Sequence, residues 1–248
     1  MTAAPAIELD HVTKTFGETR VLDEVSLEVA VGEALVILGR SGSGKSVTLK
    51  HIIGLVKPDA GRVAVEGHEI TGLRAAELAV VRRRIGFLFQ NAALFDSISV
   101  GENVAFPLRR HTDLSEAEIR ARVTEKLAAV GLERDAGKMP AELSGGMRKR
   151  AGLARALVLD PPILLVDEPS AGLDPITSAE IDALLVALKR ELGTTLVVVT
   201  HNIPSARHIG DELVFLHKGQ ILARGTAAEL ERHDHPMIRQ FMLSEGGG

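Results

Sequence analysis

Cysteine is missing from all 248 residues, as are tryptophan and tyrosine, and phenylalanine occurs only seven times. The lack of cysteine excludes disulfides, thiolate metal sites and cysteine nucleophiles, and is compatible with a reducing compartment. Long apolar runs are missing too. Those present, such as Ile163–Val166 and Leu196–Val199, fall far short of what crosses a bilayer. If the protein works at a membrane, another chain must cross it. Met1–Asp10 has no basic start and no apolar stretch, so it does not read as a signal peptide. Nor is there an excess of positive charge. With 29 Lys and Arg against 33 Asp and Glu, the formal net charge is −4, which lends no support to general nucleic-acid binding or to polybasic membrane attachment. Internal repeats, low-complexity tracts and long linkers are absent.

What is present reads as a soluble globular protein: 45% hydrophobic and 25% charged residues, with length for one large domain or a domain with a subdomain. Ile7-Glu8-Leu9 and Val25–Val29 alternate apolar with polar, as half-buried strands do. Ala34–Leu38 is continuously apolar and ends in glycine, the pattern of a strand buried on both faces. A helix is predicted over Lys45–Val56, stopping near Lys57-Pro58, and a buried strand over Ile85–Phe89. From about Ser97 to Leu159 the pattern turns helical, with Ser115 as an N-cap ahead of Glu116 and Glu118. Strands return at Ile163–Asp167, Leu196–Thr200 and Leu213–His217, with a helix over Ile176–Leu192. Strands alternating with helices, interrupted by a helical insertion, predict a mostly parallel α/β core with a helical subdomain. The end, Ser244–Gly248, is expected to fray.

The string Gly39-Arg40-Ser41-Gly42-Ser43-Gly44-Lys45-Ser46 lies between a buried strand and a helix. Such a loop turns backbone N–H groups inward on phosphate oxygens, and the helix adds its positive end. Lys45 would reach the β- and γ-phosphates, and the Ser46 hydroxyl would hold Mg²⁺. The plain alternative is a glycine-rich turn without function. Ile163–Glu168 is an apolar strand that delivers two carboxylates to its C-terminal edge, where open α/β sheets bind ligands. Asp167 would support the metal, and Glu168 would act as general base toward water. Taken alone, an apolar strand ending in Asp-Glu is equally well a structural edge. Leu143-Ser144-Gly145-Gly146-Met147 opens another helix, and its bare glycines allow a ligand close approach; an ordinary helix cap reads the same way.

In this order and spacing, these strings resemble the nucleotide-binding subunit of ABC (ATP-binding cassette) transporters, over about Ile7–Leu230. Gln90 matches the family's Q-loop, Leu143–Met147 its signature, Ser170–Asp174 its D-loop and His201 its switch histidine. Phe16 falls where the family stacks an aromatic on adenine. The resemblance implies an α/β P-loop NTPase fold with a mostly parallel core sheet, an antiparallel β-subdomain and a helical subdomain. It implies an ATPase domain over 1–232, with the helical part at about 97–159, and a short C-terminal extension over 233–248. ATP would be held by Phe16, Gly39, Arg40, Ser41, Gly42, Ser43, Gly44, Lys45, Ser46, Val47 and Gln90. Mg²⁺ would be held by Ser46, Gln90 and Asp167, with Glu168, His201 and Lys45 in the catalytic roles. Ser144, Gly145 and Gly146 of one copy would cap the ATP held by a second, with Asp174 at the contact, so that ATP glues a head-to-tail homodimer. A transmembrane permease is the implied partner and nucleic acid is not. The implied place is the cytoplasmic face of the inner membrane, as a peripheral subunit.

Leu94-Phe95, Val100–Arg109, Met139–Met147 and Asp167–Thr177 further resemble the ATPases of Mla and Mce lipid transport systems. So does Met147, where most importers carry glutamine, followed by Arg148, Lys149 and Arg150. That resemblance implies phospholipid or other lipid transport with an Mce-domain lipid-binding protein. The rivals are an importer ATPase for another solute and a non-transport ABC ATPase acting on ribosomes or DNA. The short, heptad-free stretch Gln90–Leu143 weighs against the last. The segment Gln90–Arg110 is expected to receive the permease, with Phe95, Phe106 and Leu108 as apolar candidates for a groove or for core. His233-Asp234-His235 lacks further ligands and is not read as a metal site.

Overall fold

Two apolar patterns sort the strands into two sheets. The computed structural model describes residues 4–244, so the fraying expected after Ser244 lies outside the described residues. The half-buried strands β1 (Ile7–Phe16) and β2 (Thr19–Val29) pair antiparallel, and with β4 (Ala60–Val65) and β5 (His68–Glu69) they build a four-stranded sheet in the order β2-β1-β4-β5. The continuously apolar β3 (Ala34–Leu38), β7 (Ile163–Asp167) and β8 (Thr195–Thr200) are fully buried. With β6 (Ile85–Leu88), β9 (Glu212–His217) and β10 (Gln220–Gly225) they form a six-stranded sheet, order β10-β9-β3-β8-β7-β6, parallel except for the β9–β10 hairpin.

Alternate residues of this sheet feed two separate cores, as the period of two requires. Val36, Leu38, Val166 and Val198 face one apolar cluster with the helices. Leu35, Ile37, Leu165 and Val199 face the other, which the four-stranded sheet closes. A one-residue slip would move each set to the wrong core.

The helices are α1 (Lys45–Ile52), α2 (Ala75–Arg82), α3 (Val100–His111), α4 (Glu116–Ala129), α5 (Gly145–Leu157), α6 (Pro175–Leu192), α7 (Ile203–Ile209), α8 (Ala227–Glu231) and α9 (Pro236–Leu243). Helix α1 stops four residues before the predicted Val56. The cause is local: Gly54 at φ 65° donates to His51 O at 2.9 Å, and Leu55 donates to Lys50 O at 2.8 Å, the paired bonds of a Schellman ending. Ser115 caps α4 as its pattern predicts, in a reciprocal arrangement with Glu118. Between β6 and β7 the chain is helical, and α3, α4 and α5 share the core that lies under that side of the sheet.

The register brings the site together. Leu38 lies opposite Thr200, Leu88 opposite Val166, and Asp167 opposite Val199. The ends of β3, β6, β7 and β8 therefore deliver the glycine loop, Gln90, the carboxylate pair and His201 to one edge.

Candidate functional site

The loop Gly39–Ser46 is shaped by close packing. A Cβ on Gly39 would run into the carbonyl of Leu216, and one on Gly44 would stand 2.8 Å from the Val21 carbonyl, at a φ of 108° that L side chains avoid. The loop and its surroundings line a cavity of about 760 Å³ with Arg40, Ser41, Gly42, Gly44, Lys45, Ser46, Val47, Gln90, Glu168 and His201. The Lys45 ammonium, 6% exposed, donates to the carbonyls of Gly39 at 2.8 Å and Arg40 at 3.2 Å, and lies 3.6 Å from Glu168 Oε1. Burial pulls its pKa down against the opposing pull of Glu168. Ser43 Oγ is buried and has no hydrogen-bond partner among the described residues.

The carboxylates are held differently. Asp167 Oδ1 accepts from Ser46 Oγ at 2.9 Å. Burial raises the Asp167 pKa, and the Ser46 bond offsets part of that. Glu168 adopts φ 47°, a left-handed conformation unusual for this residue type. Its N–H donates to Val199 O at 2.9 Å. Its carboxylate receives Thr200 Oγ1 at 3.2 Å and stands 3.0 Å from His201 Nδ1. A carboxylate fixed by a hydroxyl and an imidazole beside an ammonium can accept a proton from a water placed in the cavity.

Ser144, Gly145 and Gly146 are brought to no part of this cavity's lining. Ser144 caps α5 from an exposed position, accepting from Met147 N–H at 3.2 Å. Gly146 packs against Thr177, whose Cγ2 a Cβ would approach to 2.5 Å. Asp174 is exposed and caps α6, accepting from Ile176 and Thr177 N–H at 3.0 Å each; Thr177's hydrogen bonds hold its pKa below the usual carboxylate value. Phe16 is 47% exposed, with Lys14 Nζ 5.4 Å from its ring centre. It stands outside the lining, on the hairpin that also carries the lining residue Val21.

Of the apolar candidates after Gln90, Leu108 is 2% exposed and belongs to the helical core, the second of the two roles its sequence left open. Phe95 and Phe106 stay 45% and 47% exposed with ring centres 5.0 Å apart. His233 and His235 spend their Nδ1 atoms on backbone N–H groups at the start of α9. Three features escape sequence reasoning. Met237, Gln240 and Phe241 of α9 also line the cavity. Thr200 reaches Glu168. Lys149 of α5 donates to the carbonyl of Glu168 at 3.0 Å and to that of Gln90; burial lowers its pKa against the pull of Asp167 and Glu168. The signal for Lys149 was available: a charge on the buried stripe Gly146, Lys149, Leu153 of an otherwise apolar helix face.

Residues 22–171 match the family model described as ABC transporter. The chain is 47% identical over 237 residues to a Mycobacterium tuberculosis protein named "Probable ribonucleotide transport ATP-binding protein mkl", covering 96% of this chain and 66% of that protein. It is 41% identical over 239 residues to the Escherichia coli "Intermembrane phospholipid transport system ATP-binding protein MlaF", covering 96% and 89%. A Brucella abortus "Methionine import ATP-binding protein MetN" is 42% identical over 242 residues, covering 98% and 65%. Among solved structures, a dimeric ATP-binding cassette in a post-hydrolysis state with ADP and Pi superposes with a TM-score of 0.83 at 39% identity, covering 89% of this chain and 98% of that one.

Proposed function

Because this chain belongs to the ABC transporter family, we propose that it is the ATP-binding and hydrolysing subunit of a lipid transporter. The observation that carries the hydrolytic reading is the meeting of Lys45, Glu168 and His201 around one cavity at the end of the glycine loop. The loop fits a triphosphate: a buried ammonium spends its donors on loop carbonyls, and a buried hydroxyl, Ser43 Oγ, has no partner. Both are donors that phosphate oxygens satisfy. Ser46 Oγ and Asp167, already in contact, fit a Mg²⁺ shell together with Gln90. When bound, Mg²⁺ supplies charge neutralisation on the phosphates. Glu168 takes the proton of the attacking water, and His201 with Thr200 fixes the carboxylate's aim. Phe16, exposed on its hairpin, is positioned by this reading to stack on the base.

The second phosphate-binding string serves another copy. Ser144–Gly146 lie outside the chain's own cavity, and the cassette that this chain resembles is dimeric. Glu168→Gln tests both halves: binding of MgATP persists, hydrolysis falls about 10²–10⁴-fold, and an ATP-dependent dimer accumulates in size-exclusion chromatography. A variant that hydrolyses normally, or stays monomeric at saturating MgATP, overturns the reading.

The lipid assignment rests on the strings shared with Mla and Mce ATPases and on the likeness to the phospholipid-transport relative. A permease would then dock on the paired rings of Phe95 and Phe106, with an Mce-domain lipid-binding protein beyond it and this subunit on the cytoplasmic face of the inner membrane. The second reading is an importer ATPase for another solute, since the relatives named for ribonucleotide and methionine transport are 47% and 42% identical, against 41% for the phospholipid-transport relative. Co-purification of the membrane partner and identification of its bound molecule separates the two: a phospholipid supports the first, a ribonucleotide or amino acid the second.

A further inference from the structure

A buried ammonium persists in a fold only where its donors are used. Lys149 is 5% exposed on the inward stripe of α5. Its Nζ reaches two backbone carbonyls from different parts of the chain, Glu168 O at 3.0 Å and Gln90 O. Neither is an incidental acceptor. Gln90 follows β6 and Glu168 follows β7, and both side chains line the cavity. Glu168 also holds a left-handed φ of 47°, a conformation that needs its surroundings to over-determine it. Lys149 supplies part of that: the Glu168 N–H is tied to Val199 O at 2.9 Å, and its C=O to the ammonium. The same helix begins, one turn earlier, with Gly145 and Gly146 and the capping Ser144.

We propose that Lys149 is a positioning residue that links the N-terminal turn of α5 to the placement of Gln90 and Glu168. A helix is stiff over one turn, so a shift at Ser144–Gly146 moves the Lys149 ammonium and with it both carbonyls. In a head-to-tail pair, what the second copy's nucleotide does to Ser144–Gly146 is thereby read out at the chain's own general base and at Gln90. The two sites of the dimer are coupled through this one side chain. The inference rests on the hydrolytic reading of the site given above.

The test compares Lys149→Met, which removes the ammonium at nearly constant length, with Lys149→Arg and Lys149→Gln, which keep donors. In the nucleotide-free chain, amide hydrogen exchange over residues 89–95 and 167–172 is faster in Lys149→Met and near the parent in Lys149→Arg. With MgATP, Lys149→Met keeps ATP affinity and KM within about threefold, while kcat falls about 10²-fold, the scale expected of a small misplacement of reacting groups. The Hill coefficient for ATP is lower in Lys149→Met than in the parent, and Lys149→Arg or Lys149→Gln restores part of kcat. Unchanged kcat and unchanged exchange in Lys149→Met overturn the inference. So does a parallel loss of ATP affinity, melting midpoint and kcat, which marks a merely structural lysine. If Lys149→Met does not fold, Lys149→Ala, which also removes the donors, is read in its place, and failure of both to fold also overturns it. A parent chain without ATPase activity overturns the hydrolytic reading itself, an outcome distinct from an active parent indifferent to Lys149.

Discussion

Two serine–glycine strings open helices in this chain, and they use their serines in opposite ways. In Ser43-Gly44-Lys45, Gly44 stands at the N-cap of α1 with no side-chain capping bond, and Ser43 Oγ is buried without a partner. In Ser144-Gly145-Gly146, Ser144 caps α5 through the Met147 N–H and faces outward. The first string holds a hydroxyl donor in reserve beside a cavity. The second has its serine satisfied locally and takes no part in lining that cavity. A helix N-terminus attracts anions in either case. What separates the two strings within one chain is the walls around them: the first has Lys45, Asp167, Glu168 and His201, and the second has none of these beside it.

The largest effect that follows is on binding. Lys45→Ala removes the ammonium from the first string and abolishes MgATP binding by the isolated chain, read by equilibrium nucleotide titration. Ser144→Arg leaves that binding at the parent level and stops hydrolysis, because a bulky cation blocks the second copy's nucleotide. Equal losses of binding in the two variants would erase the distinction between the strings.

The distinction was partly legible in the sequence. Both strings were visible, and the bounds of β3 and β7 coincide with the apolar runs Ala34–Leu38 and Ile163–Asp167, because strands buried on both faces leave no ambiguity of period. Elements on the surface were harder. Ala60–Val65 and Gln220–Gly225 mix exposed residues with glycine, His68–Glu69 is short and exposed, and pairing with a neighbour, not local pattern, makes them strands. The end of α1 turns on Gly54 alone. Leu108 and Phe106 look alike in sequence, yet one is core and the other surface, since the helix face is set by which side meets α5. Lys149 reads as one of three basic residues in a row unless the stripe Gly146, Lys149, Leu153 is traced, and only the fold shows what its ammonium touches. The contact of α9 with the cavity depends on Phe241 packing edge-on against Phe215, 4.9 Å between ring centres, a tertiary contact with no local signature.

Mixing inactive chains sharpens the comparison further. In the head-to-tail pair proposed above, each site would combine the first string of one copy with the second string of the other. Lys45→Ala chains and Ser144→Arg chains are each inactive alone. Together they form hybrids in which both lesions fall on one site and the other site is intact. Hydrolysis recovered on mixing, measured as phosphate release, is the expected result. No recovery, with hybrids shown to form, breaks the assignment of the second string to a partner's nucleotide.

The smallest effect concerns the serines themselves. Ser144→Ala removes a satisfied cap and lowers the stability of the isolated chain by about 1 kcal/mol. Because the cap acts within α5, a chain kept monomeric loses the same with and without ATP. Ser43→Ala removes a buried hydroxyl with no partner, and an unsatisfied group of that kind costs stability of about 1–3 kcal/mol while it stays unpaired. The nucleotide-free Ser43→Ala chain therefore melts at the parent temperature or above it. With ATP present the order reverses, since the parent hydroxyl gains the phosphate acceptor it lacked and the variant gains nothing. Thermal melts of both variants with and without saturating ATP measure the four values. If Ser43→Ala lowers the melting temperature of the nucleotide-free chain as much as Ser144→Ala does, the hydroxyl of Ser43 is satisfied within the chain. The first string then holds one donor fewer in reserve, and the contrast with the second rests on Lys45 and the carboxylates alone.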